Sequence, residues 1–228
     1  MTANLFITLG RTGQIAFFAL VSLFAFQYLG DNFKKAFVLS TVLIFSVFLT
    51  AYEFSPFFTE NVNATISQAK SFREKPGTSV GERLTFVANS ATLIASNPLF
   101  GVGTGDFPAE YRQINEKVSP AFPATTDPHN QYLLAMSQFG IVGFAVFASI
   151  FFFLLKNAIQ PENPISPLRT AFVTLFMVIM LGGSYLMHHN AALLFAIFGA
   201  VLYRDVSCLP TFTSAVPGHH RHSAENAS

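Results

Sequence analysis

Five apolar stretches of the chain flank one long polar segment. A helix needs about 20 mostly apolar residues to cross a bilayer. By this measure, candidate spans lie at residues 12–29, 33–52, 139–155, 168–187 and 191–203. The last stretch is short and could span a thinned region, tilt little or pack as a re-entrant segment. The pattern predicts an all-α polytopic membrane protein with about five transmembrane helices and one large, partly helical loop.

These boundaries divide the chain into four parts. They are a first transmembrane hairpin (1–52), the polar loop (53–130), the C-terminal transmembrane helices (131–204) and a disordered cytoplasmic tail (205–228). The apolar run before Arg11 is too short to cross a membrane and looks like the tail of a helix. We therefore expect the chain to be the C-terminal part, or a truncated copy, of a larger membrane protein.

Basic residues close to the span ends predict the orientation, because they favour the cytoplasmic side. Lys34 and Lys35 follow the first hairpin turn, and Lys156 and Arg169 flank the next short connection. Both turns are then cytoplasmic. The polar loop lies outside, on the same side of the membrane as Arg11.

Composition agrees with a membrane protein and excludes several functions. The chain is 51% hydrophobic and 11% charged, whereas soluble domains have about 25% charged residues. A net charge of +1 gives no basis for nucleic-acid binding. The single Cys208 excludes an internal disulfide framework and a multi-cysteine zinc site. Asp106, Glu110 and Glu116 lack metal-ligand spacing, so we predict neither a metal nor a cofactor.

The polar loop contains a predicted helix. Ser79 and Glu82 fit a capping box, and the Asn97-Pro98 pair should end the helix. Arg83 then falls in the first turn, where a cation opposes the helix dipole. Arg83 is then either a binding residue or an ordinary solvated arginine on the surface. The apolar positions expected on one packed face are Leu84, Val87, Ala88, Ala91 and Ile94.

A glycine-rich turn, residues 101–105 (GVGTG), follows this helix. It follows no clear strand and no βαβ unit fits in the chain, so it is not a dinucleotide fingerprint. Gly101 and Gly103 predict a tight turn that lets backbone amides approach either a ligand or a neighbouring helix.

The polar loop ends at a candidate catalytic histidine. Asp127 is a good N-cap and Pro128 a good first helical residue, which predicts His129 in the first turn of a helix. The positive end of a helix suits an anion and keeps a histidine neutral and able to accept a proton. The alternative is a polar interfacial residue that ties down the loop. His188 and His189 either join this site or, as we favour, mark a helix end.

Three motifs resemble the bacterial O-antigen ligase and O-antigen polymerase superfamily. Residues 9–13 (LGRTG) are similar to its Ser-Arg-Gly stretch at the outer end of a span. Residues 82–84 (ERL) with 97–103 (NPLFGVG) are similar to the arginine and glycine turn of its large periplasmic loop. Residues 127–133 (DPHNQYL), followed by 139–143 (FGIVG), are similar to its His-Asn helix and entry into the next span.

The resemblance implies a metal-independent, inverting glycosyltransferase in the bacterial inner membrane, with the large loop in the periplasm. The donor would be a glycan on undecaprenyl diphosphate. The acceptor would be a lipid A core hydroxyl in ligases, or another lipid-linked repeat in polymerases. By position, Arg11 and Arg83, with Gly101 and Gly103, would bind the diphosphate. His129 would act as general base or assist at the diphosphate.

Two departures from the family pattern keep other interpretations open. Gly10 replaces the family's serine, and family members usually have more spans, which would complete a lipid-carrier groove. The chain would then be inactive alone or need a partner that supplies those helices, besides its contacts with membrane lipids. A membrane transport or scaffold protein with an outer recognition loop is the alternative from another functional class.

Overall fold

The computed structural model describes residues 11–30, 32–71, 78–160 and 163–204, with Arg11 as backbone only. The predicted helix tail before Arg11, the predicted tail 205–228 and Cys208 lie outside these residues. Every regular element within them is helical, which confirms the predicted all-α class. The helices are α1 (Arg11–Leu29), α2 (Phe33–Phe54), α3 (Pro56–Lys70), α4 (Ser79–Ser96), α5 (Phe107–Val118), α6 (Gln131–Ala158), α7 (Ser166–Ile179) and α8 (His189–Leu202), with a 3-10 turn at Tyr185–Met187.

Three of the described helices are long and apolar enough to cross a membrane: Thr12–Leu29, Phe33–Phe54 and Gln131–Ala158. The first two match the predicted spans to within two residues at each end. Helices α7 and α8 are also apolar, but each has only 14 residues. The polar loop is largely helical, since it holds α3, α4 and α5.

The fourth predicted span, 168–187, is wrong at its end because α7 stops at Ile179. The chain then passes very close to α1. A Cβ on Gly182 would lie 2.5 Å from Thr12 Oγ1, so any larger residue there would displace the Thr12 side chain. The carbonyl oxygen of Met180 accepts a hydrogen bond from the Gln131 amide at 3.0 Å instead of continuing a helix.

The spanning helices have two distinct ends. At one end, Gln27 at the close of α1 donates a hydrogen bond to the Pro167 carbonyl at 3.2 Å. This end also holds Lys34 in the first turn of α2 and is called the Lys34 end. At the other end, Thr12 meets Gly182, one residue from the carbonyl that Asn130 binds. That end is called the His129 end.

Helix α6 is broken at Gly140, which has φ 62° and ψ −164°. The ring centroids of Tyr132 and Phe147 lie only 6.1 Å apart. In a straight helix, fifteen residues would separate them by about 22 Å. The helix therefore folds sharply into a first arm (residues 131–139) and a second arm (141–158).

The glycine-rich turn supplies hydrogen-bond partners for the backbone groups that this break leaves unpaired. In an unbroken helix, the amides of residues 141 and 142 would donate to carbonyls 137 and 138. Here those four groups bond to the turn at residues 98–103 instead. The bonds run from Val102 N to Ser137 O (2.9 Å), Gly103 N to Gln138 O (2.9 Å), Ile141 N to Pro98 O (2.8 Å) and Val142 N to Leu99 O (3.3 Å).

Two glycines make this docking possible. A Cβ on Gly101 would lie 2.4 Å from the backbone carbon of Gln138, and one on Gly140 would lie 2.3 Å from that of Leu99. Both glycines also have positive φ angles, 68° and 62°. The sequence predicted that this turn approaches either a ligand or a neighbouring helix. In the structure it packs against helix α6.

Helix α4 packs with the face opposite to the predicted one. Its buried residues include Thr85, Phe86, Asn89, Ser90 and Leu93. Asn89 is fully buried and donates to the Tyr111 hydroxyl (3.2 Å) and to Asn115 Oδ1 (3.0 Å) of α5. This polar network and the small Ser90 explain why the less apolar face is inside. The predicted face is wrong because Leu84, Val87, Ala88 and Ala91 are all exposed.

Replacing Gly101 by alanine should destabilise the protein more than replacing Gly30. Both glycines have positive φ, so alanine costs about 1–2 kcal/mol at either position. Only Gly101 also meets backbone, whereas a Cβ on Gly30 or Gly105 would meet nothing within 4 Å. Thermal unfolding in detergent should therefore rank Gly105→Ala, Gly30→Ala and Gly101→Ala in order of increasing loss. Equal melting of Gly30→Ala and Gly101→Ala would contradict the docking of this turn on α6.

Candidate functional site

His129 lies just before the helix that was predicted to include it. Helix α6 begins at Gln131, and its N-cap is Asn130, whose Oδ1 accepts hydrogen bonds from two first-turn amides at 3.0 and 3.1 Å. The Asn130 side chain also donates to the Leu181 carbonyl at 3.2 Å. Asn130 thus caps α6 and anchors it to the chain after α7. The prediction that Asp127 caps this helix is wrong.

Asp127 instead holds His129 in an uncommon backbone conformation. His129 has φ 53°, the only positive φ of a non-glycine residue in the described part of the chain. Its amide donates to Asp127 Oδ1 at 2.8 Å, forming a local turn typical of aspartate. Left-handed backbone costs a non-glycine residue about 1–2 kcal/mol. Such strain persists where the surroundings fix it and is common at functional sites.

The Asp127 carboxylate is itself fixed from a distant part of the chain. Ser184, fully buried, donates from Oγ to Asp127 Oδ1 at 2.6 Å. Thr125 Oγ1 accepts from the Asp127 amide at 3.1 Å. The other carboxylate oxygen, Oδ2, lies 3.9 Å from His129 Nδ1. One oxygen therefore holds the backbone while the other faces the imidazole.

The imidazole of His129 also lies against α4. Its ring centroid is 5.8 Å from that of Phe86, and the His129 side chain is 48% exposed. Phe86 belongs to a buried cluster with Phe107, Tyr111 and Leu134. Burial raises the pKa of Tyr111, and the hydrogen bond from Asn89 partly offsets this. The phenol stays neutral, so the cluster presents His129 with an apolar wall.

Arg83 lies one turn before Phe86 on α4, about 4.5 Å along the helix axis. Its side chain is exposed, and among the described residues no carboxylate lies within ion-pair distance of it. The predicted capping box is wrong: Thr78 is the N-cap and accepts from the Gly81 amide at 3.1 Å. Arg83 follows the first turn, so it opposes the helix dipole less than predicted.

The start of α1 reaches the same end of the protein. Arg11 is the first residue of α1, and its side chain lies outside the described residues. Its neighbour Thr12 meets Gly182, and the adjacent Leu181 carbonyl binds Asn130. The backbone of Arg11 is therefore linked through one short run of contacts to the residue after His129.

Gly101 and Gly103 are not brought to this site. They follow the far end of α4, about 20 Å along that helix from Arg83. Their amides donate to the carbonyls of Asn97 (3.1 Å) and Gln138 (2.9 Å). Both are therefore already used inside the protein. Neither amide is free to bind the predicted diphosphate.

Two residues of the site gave no functional signal in the sequence. Ser184 follows a glycine pair in what was expected to be a helix, and Phe86 is one of 28 phenylalanines. Only the Asp127-Pro128-His129 spacing could have indicated a side chain turned back onto the histidine amide. His188 is the N-cap residue of α8, and its ring lies 6.3 Å from that of Tyr185. It marks the start of that helix.

The arrangement combines two exposed polar side chains with one buried aromatic ring. The imidazole is half exposed, and its Nδ1 faces the Asp127 carboxylate. The exposed guanidinium of Arg83 offers several donors in a planar fork that matches phosphate oxygens. The buried ring of Phe86, one turn after Arg83 on α4, lies against the imidazole.

A family model matches the part of the chain that forms this surface. The family model described as O-antigen ligase matches residues 1–148, which include Arg11, Arg83 and His129. No curated protein matches the chain. The matched region covers more than half of the 228 residues. The chain belongs to the O-antigen ligase family.

Proposed function

We propose that this protein transfers a glycan from undecaprenyl diphosphate to a hydroxyl group of the lipid A core. Membership of the family supports a ligase- or polymerase-type role in O-antigen biosynthesis. The observation that favours transfer is the gathering of His129, the Arg83-bearing helix and the start of α1 at one end of the spanning helices.

This end faces the periplasm in our proposal, and the protein is a multi-pass protein of the inner membrane. Lys34, Lys35 and Lys156 all lie at the opposite end, as expected for a cytoplasmic side. Loop 53–130 then stands over the surface at which lipid-linked glycans are presented.

His129 acts as the general base in this reaction. In this mechanism Nδ1 carries its proton on the side of the Asp127 carboxylate, whose Oδ2 lies 3.9 Å away, and Nε2 is the proton acceptor. Nε2 takes the proton of the acceptor hydroxyl while that oxygen bonds to the anomeric carbon of the donor sugar. The bond from that carbon to the diphosphate oxygen breaks, and undecaprenyl diphosphate leaves with the electron pair. Attack opposite the leaving group inverts the anomeric configuration.

Arg83 stabilises the leaving diphosphate, and Arg11 is the second cation that we assign to it. Negative charge on the bridging oxygen grows as the glycosidic bond breaks. A positioned guanidinium stabilises that charge more in the transition state than in the ground state. The reaction needs no further group to balance, since the proton stays on His129 until it is released to solvent.

Surface glycolipids from cells should reveal the reaction. We expect deletion of the gene and the His129→Ala variant both to lose the long-chain ladder on a gel, with lipid-linked polymer accumulating. Collapse to a core bearing a single repeat would instead assign a polymerase. An unchanged ladder in both strains, with the variant present in the membrane, would refute the glycan role and favour a transport or scaffold protein.

Arg83→Ala should reduce transfer by about 10²–10³-fold, the usual effect of removing one transition-state donor. Release of undecaprenyl diphosphate by purified protein, with the lipid-linked glycan and a lipid A core acceptor, measures this. Arg112→Ala is the matched control, because Arg112 is an exposed arginine on α5 of the same loop. Equal activity of the two variants would exclude a specific role for Arg83.

Asp127→Asn tests whether the carboxylate positions and polarises His129. Asparagine keeps an oxygen for the His129 amide and for Ser184, so the fold should be retained. A charge pair at about 4 Å near solvent contributes about 1 kcal/mol, so kcat should fall roughly fivefold with KM unchanged. A higher KM with kcat unchanged would place Asp127 in substrate binding instead. Thermal unfolding checks that stability is retained.

A further inference from the structure

The turn after α4 stands at the edge of the membrane. The second arm of α6 extends for about 27 Å, close to the roughly 30 Å of a bilayer hydrocarbon core. Ile141 therefore lies near the edge of that core. The carbonyls of Pro98 and Leu99 accept hydrogen bonds from the amides of Ile141 (2.8 Å) and Val142 (3.3 Å). These bonds fix residues 98–100 at the same depth.

Two large apolar side chains project from this turn. Leu99 is 59% exposed and Phe100 is 73% exposed. Ile141 and Val142, which begin the spanning arm beside them, are 47% and 48% exposed. The apolar surface of the turn is thus continuous with the surface that α6 presents to lipid.

The exposed face of α4 extends this surface. An apolar strip of Leu84, Val87, Ala88, Ala91 and Ala95 recurs there at helical spacing, with the exposed Arg83 at its start and the exposed Thr92 along one edge. Helix α5 packs on the opposite face, where Asn89 bonds to Tyr111 and Asn115. Helix α4 therefore has its polar contacts inside the protein and an apolar strip outside, the reverse of a helix that faces water.

We propose that Leu99, Phe100 and this strip of α4 rest in the lipid bilayer surface on the His129 side. The partner is the membrane lipid itself, at the boundary between headgroups and acyl chains, where amphipathic helices bury an apolar face. Because α4 also bears Arg83 and contacts His129 through Phe86, its seating in lipid sets the height of both residues above the bilayer. This proposal does not depend on the reaction that the site performs.

Tryptophan fluorescence tests the proposal directly, because the chain contains no tryptophan. The full chain carrying Phe100→Trp is placed in phosphatidylcholine vesicles, with bromine atoms on the acyl chains either near the glycerol or near the bilayer centre. Phe153→Trp, on the spanning arm and 56% exposed, reports deep burial. Val118→Trp, on α5 and 61% exposed, reports water. Leu99→Trp is a second reporter for the turn.

Phe100→Trp should emit at shorter wavelength than Val118→Trp and resist acrylamide. Bromine near the glycerol should quench it more than bromine near the centre, whereas Phe153→Trp should show the opposite order. Quenching by acrylamide equal to that of Val118→Trp, for both turn reporters, would overturn the proposal. Blue-shifted emission that no bromolipid quenches would also overturn it and would assign the strip to a protein partner or a second copy.

Discussion

The fold depends on the backbone hydrogen bonds that the turn at 98–103 supplies to the broken helix α6. At Gly140 the helical hydrogen bonds of α6 are interrupted, and the amides of residues 141 and 142 and the carbonyls of residues 137 and 138 lose their partners near the membrane edge. An unpaired backbone group in lipid costs several kcal/mol, so such a break requires partners from elsewhere in the chain. The turn at 98–103 supplies all four, and it fits only because Gly101 and Gly140 lack side chains. The break thereby fixes α4 to α6.

The site follows from that attachment. Once α4 is fixed at its far end, its near end places Phe86 against His129 and leaves Arg83 exposed one turn away. On the other side, the non-helical chain after α7 supplies the Leu181 carbonyl to Asn130 and the Ser184 hydroxyl to Asp127. Three parts of the chain thus hold the histidine: the local Asp127 turn, the polar groups after α7 and the Phe86 ring of α4. Backbone strain persists where the surroundings fix it in this way.

Hydropathy was sufficient to predict the helical class and the first two spans, because long apolar runs leave few alternatives. It failed where tertiary contacts override local preference. The fourth span ended early because Gly182 passes against Thr12, a contact that no local pattern reveals. The face of α4 was misjudged because the rule that apolar residues face inward assumes water outside. The catalytic role of His129 stays a prediction, and the cap of the helix after it was misplaced since Asp, Pro and Asn all favour a helix start.

An exposed site presents an energetic difficulty, which a membrane substrate resolves. His129 is half exposed and Arg83 exposed, and ionic contacts in solvent contribute only about 0–1 kcal/mol. Such a surface would bind a free glycan poorly. A donor and an acceptor that are both anchored in one bilayer leaflet are already confined to the plane of that leaflet, which raises their effective concentration without new contacts. A site proposed to act on such substrates needs to provide orientation and charge stabilisation more than affinity, and these are the roles that we assign to His129 and Arg83.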